Sequence, residues 1–310
     1  MAKILNFGSL NIDYVYRMDH IIRPGETEPS QSREIFPGGK GLNQSVACAR
    51  AGAEVYHAGA VGNGDNEVLL KVLREAGVHD DYLMTHPEVP TGHTVIQVDK
   101  GGQNSIILFG GSNQSLRRSE IDETLKHFGS GDLLVLQNET NELEYLMRQA
   151  SARGLKIAFN VSPFDESLLA LPLELCSYLL VNEIEAAAIA GMSSESEAAV
   201  LIKAVSAKLP ACTVVMTLGT RGSVCSVPGS APVEYGCYKV KAVDTTGSGD
   251  TFTGFFLQSM LLGKDVKSAM KLAACAAAIS VTRAGAACSI PSLSEVENSE
   301  LLKTEPVFAG

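Results

Sequence analysis

Paired cysteines are missing from this chain. Its seven cysteines are odd in number and scattered with no Cys-x-x-Cys spacing, which argues against a disulfide framework and a structural zinc site. Free thiols in a reducing compartment are expected instead. A membrane-spanning run is missing too. The longest apolar stretch, 272–281, is alanine-rich and closed by Arg283, and the opening Met1-Ala2-Lys3-Ile4-Leu5-Asn6-Phe7-Gly8 is too short for the apolar core of a signal peptide. A soluble, cytoplasmic protein is the expectation. Positive charge is in deficit: 25 Lys and Arg against 35 Asp and Glu leave a net charge of −10. That speaks against a general attraction to nucleic acid or to an anionic membrane, although a ring of backbone N–H groups can bind phosphate inside an acidic protein. Pro- or Ser-rich linkers, low-complexity tracts and internal repeats are also lacking. At 310 residues, 45% hydrophobic and 19% charged, the chain can bury a substantial core as one large domain or two ordinary ones.

Familiar nucleotide motifs are absent as well. There is no Gly-x-x-x-x-Gly-Lys-Ser/Thr loop and no protein-kinase motif set. The one glycine-rich turn before an apolar helix carries Phe252 where a dinucleotide fingerprint needs its third glycine, which disfavours a nicotinamide-dependent oxidoreductase.

What is present is an alternation. Short apolar runs at 3–7, 132–137, 155–160, 177–181 and 213–218 read as buried strands, and amphipathic stretches such as 142–153 and 195–208 read as helices between them. This predicts an α/β fold with a mostly parallel central sheet flanked by helices. Two segments, 14–36 and 91–109, break the pattern. In the second, Thr94-Val95-Ile96-Gln97-Val98 and Ser105-Ile106-Ile107-Leu108-Phe109 flank Lys100-Gly101-Gly102-Gln103, a hairpin signal. They read either as a small antiparallel sheet standing off the body or as an edge hairpin of the main sheet. Ligands of open parallel sheets bind beyond the carboxyl ends of the strands. Asn11, Asp13, Glu139, Asn160 and Asn182 follow or end predicted strands, lining a polar crevice suited to a polyol.

The strongest signal is Val243-Asp244-Thr245-Thr246-Gly247-Ser248-Gly249-Asp250-Thr251-Phe252 before an apolar helix. Small residues Gly247, Ser248 and Gly249 let a ligand approach N–H groups that a helix start leaves unpaired, where the dipole favours negative charge. Asp250 is either a helix cap or, beside bound phosphate, a base for an attacking hydroxyl. An anion hole with an adjacent base is what phosphoryl transfer to an alcohol requires. A second segment, Pro37-Gly38-Gly39-Lys40-Gly41-Leu42-Asn43-Gln44-Ser45, opens an amphipathic helix over 42–51. It offers close backbone approach, a cation and N–H donors, although a tight turn with a solvated lysine would look similar.

Together these segments resemble the two signatures of the ribokinase family of carbohydrate kinases. Asn11-Ile12-Asp13, Asn182-Glu183-Ile184-Glu185 and Thr217-Leu218-Gly219-Thr220-Arg221-Gly222 match in order and spacing, so the resemblance spans essentially the whole chain. It implies a ribokinase-like three-layer fold, a single α/β domain over 1–310 with a small β lid formed by 14–36 and 91–109, and a homodimer whose lids clasp each other. It implies an ATP-dependent sugar kinase acting on a primary hydroxyl, with ribose the first candidate. Deoxyribose, fructose, a ketohexose derivative or a nucleoside stay open, as does a non-catalytic sugar-binding role. By the same resemblance Asn11, Asp13, Gly39, Lys40, Asn43 and Glu139 would hold sugar hydroxyls. Asp250 would be the catalytic base and bind the reacting hydroxyl, and Gly247, Ser248 and Gly249 would form the anion hole. ATP would lie along Thr217, Leu218, Gly219, Thr220, Arg221 and Gly222, reaching Gly249, with Asn182 near its phosphates. Asn182 and Glu185 would position hydrated Mg²⁺. Potassium would sit by Asp244, the Thr246 carbonyl and the 280–289 stretch, including Ser280, Arg283, Gly285 and Ser289. The chain departs from the commonest family pattern at Val161-Ser162-Pro163 and at Leu180, both on the expected nucleotide side. His93, in the expected lid, reads as a packing or surface residue rather than a ligand.

Overall fold

Strands form where short runs of Val, Ile, Leu and Ala can be buried on both faces. The computed structural model describes residues 2–64 and 66–308; Met1, Asp65, Ala309 and Gly310, which the span 1–310 includes, lie outside the described residues. In chain order the strands are β1 (Ile4–Phe7), β2 (Asn11–Arg17), β3 (Ser32–Gly38), β4 (Val55–Val61), β5 (His79–Thr85), β6 (Gly92–Val98) and β7 (Asn104–Phe109). They continue with β8 (Leu133–Gln137), β9 (Lys156–Asn160), β10 (Tyr178–Asn182), β11 (Thr213–Thr217), β12 (Ser223–Ser226) and β13 (Val233–Tyr235). The helices that matter below are α1 (Lys40–Arg50), α2 (Glu67–Glu75), α3 (Arg118–Leu125), α4 (Leu143–Ala152), α5 (Glu183–Ala190), α6 (Ala198–Lys208), α7 (Ser248–Leu261) and α8 (Val266–Ser280).

The main sheet has nine strands in the order β13-β12-β11-β10-β9-β8-β1-β4-β5. Every pairing from β5 to β11 is parallel, and β12 and β13 add an antiparallel edge. Because side chains alternate along a strand, each one feeds two cores. Ile4, Leu133 and Val135 point to the side covered by α1, α2, α7 and α8, where Leu42, Val46, Phe255, Phe256 and Ala273 are buried. Leu5, Leu134 and Leu136 point to the other side, against Ile121, Leu146, Met147 and Leu201 of α3, α4 and α6. Each fully buried leucine or phenylalanine contributes about 1.5–3 kcal/mol. Among the described residues no helix is long and apolar enough to cross a membrane.

The four remaining strands make a separate sheet in the order β3-β2-β6-β7. Parallel β2 and β6 lie at its centre, and β3 and β7 flank them antiparallel. The β6–β7 hairpin therefore stands off the body and is not an edge of the main sheet. The segments expected at 14–36 and 91–109 supply this sheet, although its first strand already starts at Asn11. Helix α1 likewise starts at Lys40 rather than Leu42, which puts the lysine inside the first turn.

Candidate functional site

Two helix N-termini meet at the carboxyl edge of the main sheet because α1 and α7 cross at closest range one turn further along. A Cβ placed on Gly254 would lie 2.4 Å from the Cβ of Ala47, so only glycine opposite alanine permits this crossing. One turn back, Asp250 of α7 faces Asn43 and Gln44 of α1. Asp250 Oδ1 accepts from Gln44 Nε2 at 2.9 Å and Oδ2 from Asn43 Nδ2 at 3.1 Å. The carboxylate is thus turned towards α1 and is not the cap of its own helix. The N-cap is Gly247, whose φ of 73° is left-handed, a conformation that glycine adopts without strain. Gly247, Ser248 and Gly249 then line a cavity of about 260 Å³ that also exposes Lys40, Asn182, Glu185, Thr217 and Asp250, and within this turn the Ser248 N–H donates to the Thr245 carbonyl at 3.3 Å.

Charges converge around that cavity. Burial works against the Lys40 ammonium, but the carboxylates of Asp250, Glu139 and Glu185 outweigh it and raise its pKa, so the lysine is charged. Glu139 is pushed up by burial, against hydrogen bonds from the Ser9 hydroxyl and, at 2.9 Å, from the Lys40 backbone N–H. The lysine is therefore a half-buried cation in the field of three carboxylates rather than a fully solvated one.

The second sheet brings in Asn11 and Asp13. Asn11 is buried and accepts at Oδ1 from Asn113 Nδ2 at 2.8 Å; Asn113 also takes the Leu10 N–H at 2.9 Å. Asp13 Oδ1 accepts from the Thr94 hydroxyl at 2.6 Å, and burial, with Glu139 nearby, raises its pKa to about 6 against that hydrogen bond. Gly38 makes room for it, since a Cβ there would sit 2.0 Å from Asp13 Oδ2. Asn43 Oδ1 is buried and has no hydrogen-bond partner among the described residues, an acceptor that a ligand hydroxyl would satisfy. His93 packs between Tyr14 and Phe109, ring centroids 6.0 and 5.0 Å away, and its Nδ1 is 3.0 Å from the Thr91 carbonyl.

On the other side of α7 a largely apolar cavity of about 590 Å³ adjoins the first, with Thr217, Ser248 and Gly249 lining both. Of the expected nucleotide stretch, Thr217, Gly219, Thr220 and Gly222 line it. Leu218 and Arg221 do not: Leu218 donates its N–H to the Gly222 carbonyl at 2.8 Å, and the Arg221 guanidinium pairs with Glu183. Much of the lining was not marked in the sequence, notably Cys237, Tyr238, Val240, Ala277, Ala278 and Val307. Isolated alanines and valines carry no chemical signature; only the run of small residues in α8 hinted at a close-packed face. Ser162 and Leu180, expected towards the nucleotide, line the smaller cavity at the junction.

Asn182 and Glu185 form a reciprocal cap at the start of α5: Asn182 Oδ1 accepts the Glu185 N–H at 2.9 Å, and Glu185 Oε2 accepts the Asn182 N–H at 2.8 Å. Asp244 takes the Thr246 N–H and hydroxyl on one oxygen and the Gly285 N–H on the other, at 2.9, 2.7 and 2.9 Å. Burial opposes its charge, but these donors hold it below the usual carboxylate range. It thereby ties the turn before α7 to the loop after α8. The side chains of Ser280, Arg283 and Ser289 do not join it. The two hydroxyls bond to the Ala277 and Ala286 carbonyls at 2.8 Å each, and Arg283 pairs with Glu295 at 2.7 Å.

Residues 1–293 match the pfkB family of carbohydrate kinases. The ribokinase of Haemophilus influenzae is 34% identical over 303 residues, covering 95% of this chain and 97% of that protein. A deoxyribokinase of Salmonella typhi is 29% identical over 295 residues, covering 93% and 95%. Among solved structures, ribokinase of Cryptococcus neoformans var. grubii in complex with ADP superposes with a TM-score of 0.84 at 32% identity, covering 96% of this chain and 99% of that one. Ribokinase of Arabidopsis thaliana complexed with ribose and ATP gives 0.85 at 28% identity, covering 98% and 100%.

Proposed function

The chain belongs to the pfkB family of carbohydrate kinases, and from that premise we propose that it transfers the γ-phosphoryl group of ATP to the primary hydroxyl of ribose, giving ribose 5-phosphate. The observation that carries this reading is Asp250. It is a buried carboxylate that directly follows Ser248 and Gly249 in the first turn of α7 and lines a small polar cavity, and those two residues line both that cavity and the larger apolar one. We assign the base of ATP to the apolar cavity, its phosphates to the helix N-terminus, and the sugar to Asn11, Asp13, Gly39, Lys40, Asn43 and Glu139, of which Lys40 lines the smaller cavity. Asp250 accepts the proton of the attacking hydroxyl as the new O–P bond forms and the bond to the β-phosphate oxygen breaks, releasing ADP. The N–H groups at 247–249 and the Lys40 ammonium offset charge on the transferring group.

The donors present suit the two cations expected. Asn182 and Glu185 would hold hydrated Mg²⁺, which supplies neutralising charge on the phosphates; their reciprocal cap keeps the carboxylate oriented. Asp244, the Thr246 carbonyl and the loop around Gly285 would hold K⁺ and order the turn leading into α7. The chain acts as one α/β unit whose four-stranded sheet closes over the sugar and excludes water. That sheet also supports a homodimer. Edge strand β7 exposes Ile106, Ile107, Leu108 and Phe109, apolar on both faces, and such an edge calls for a covering partner. With seven free cysteines, a reducing cytoplasm is the compartment we assign.

ADP release from MgATP with K⁺ present, measured across free pentoses, hexoses and nucleosides, tests the reading. Ribose should give the highest kcat/KM. A deoxyribose maximum would keep the chemistry and change the substrate, the outcome that the deoxyribokinase relative favours. No turnover with any sugar by the folded protein would refute it.

A further inference from the structure

Asp250 is the end of a buried chain of side-chain hydrogen bonds running through the core beneath the site. Gln44 donates Nε2 to Asp250 Oδ1 and accepts at Oε1 from Gln137 Nε2 at 2.8 Å. Gln137 Nε2 also donates to Asn6 Oδ1 at 3.0 Å, and Asn6 Nδ2 donates to the Gly41 carbonyl at 2.8 Å and the Ser45 hydroxyl at 2.9 Å. Ser45 Oγ lies 2.7 Å from His57 Nδ1, and His57 Nε2 lies 3.2 Å from the Gly8 carbonyl. Asn6, Gln44, Ser45, His57 and Gln137 are all fully buried.

The polarity of this chain admits one assignment. An ionised Asp250 only accepts, so Gln44 must turn its amide NH₂ to the carboxylate and its carbonyl to Gln137. The Gly8 carbonyl can only accept, so a neutral His57 carries its proton on Nε2, and Ser45, which accepts from Asn6, donates to the bare Nδ1. Burial pushes His57 down to about 4, keeping it neutral. For stability alone, apolar residues of similar shape would serve about as well or better, since among the described residues Gln137 Oε1 is buried without a hydrogen-bond partner, a cost the network carries. What the network adds is orientation: an amide that could otherwise rotate is held in one sense against one oxygen of Asp250.

We propose that Gln44 is a positioning residue for phosphoryl transfer, fixing the Asp250 carboxylate against rotation, and that Gln137, braced by Asn6, fixes Gln44 in turn. This rests on Asp250 being the base, and the tests separate the two. If Asp250→Asn turns over like the unaltered enzyme, the base assignment fails and takes this proposal with it. If Asp250→Asn is inactive, Gln44→Met decides, because it keeps the side chain's length and removes the donor. We expect kcat to fall roughly 10- to 100-fold, the worth of a hydrogen bond to a charged group. Both KM values should stay within about threefold and the unfolding temperature near the original. A kcat within about twofold of the original, or parallel losses in kcat, KM and unfolding temperature, would overturn it.

Gln137→Met should cost about 3- to 10-fold in kcat, and the double variant should be no slower than Gln44→Met alone, since the outer glutamine works through the inner one. Additive losses would overturn the role of Gln137. Should Gln44→Met fail to fold, Gln44→Glu keeps the acceptor for Gln137 and reverses polarity towards Asp250. Its kcat should drop more than about tenfold with the sugar KM little changed, and an unchanged kcat would overturn the proposal.

Discussion

The two parts of the site are built to different standards. Its floor is over-determined: α1 and α7 are locked at the Gly254–Ala47 crossing, and Asp250, Asn43 and Gln44 are buried in a bonded cluster. The four-stranded sheet above is thin. Its centre is half-buried, and β7 is exposed along its whole length. The groups assigned to chemistry belong to the rigid floor. Asn11 and Asp13, assigned to the sugar, belong to the sheet. Reaction and recognition should therefore fail separately: a change in the floor should strike kcat, and a change in the sheet should strike the sugar's KM.

The largest effect tests the floor. Asp250→Asn should lower kcat at least ~10²-fold while sugar affinity, measured by calorimetry, stays within about tenfold. Equal losses in both would dissolve the distinction. An intermediate effect tests the sheet through pH. The Asp13 carboxyl is raised to about 6, so it loses its charge as pH falls through that value. Sugar kcat/KM should then fall towards roughly tenfold per pH unit below about 6, and the limb should vanish in Asp13→Asn. An acid limb at the ordinary carboxylate value would detach Asp13 from the sugar. The smallest effect concerns the exposed edge. Ile107→Glu should shift sedimentation from dimer to monomer and raise the sugar KM by roughly a few-fold, with kcat near the original. A dimer surviving that change would place the interface elsewhere.

A fourth check uses the network under the floor. His57 has a lowered pKa in the folded chain, so its contribution is complete above about 6.5 and is lost as pH falls towards about 4. The unfolding temperature should fall across that window, and fall less in His57→Gln.

Much of this was legible in the sequence. Buried strands at β1, β8, β9, β10 and β11 announce themselves as apolar runs, and the turn at 247–250 stands out as an acid among small residues at a helix start. Strand β4, Val-Tyr-His-Ala-Gly-Ala-Val, was not marked, because a histidine and a glycine interrupt it; they are there for the Ser45 bond and for close packing on Gly8. Asp250 could be read from sequence as a cap or as a base, and only the position of α1 shows that its carboxylate turns away from its own helix start. Gln44 and Gln137 are ordinary polar residues 93 positions apart until the sheet brings β8 under α1.

The sequence by itself determined the alternation of strands and helices, the glycine-framed helix starts and the kinase family, since these depend on local periodicity, backbone freedom and short motifs. Tertiary structure alone decided which oxygen of Asp250 each amide holds, that Arg221 and the Ser280, Arg283 and Ser289 side chains turn to other partners, and that scattered alanines and valines line one cavity. Those outcomes depend on distances between residues far apart in the chain, fixed only when both cores are packed.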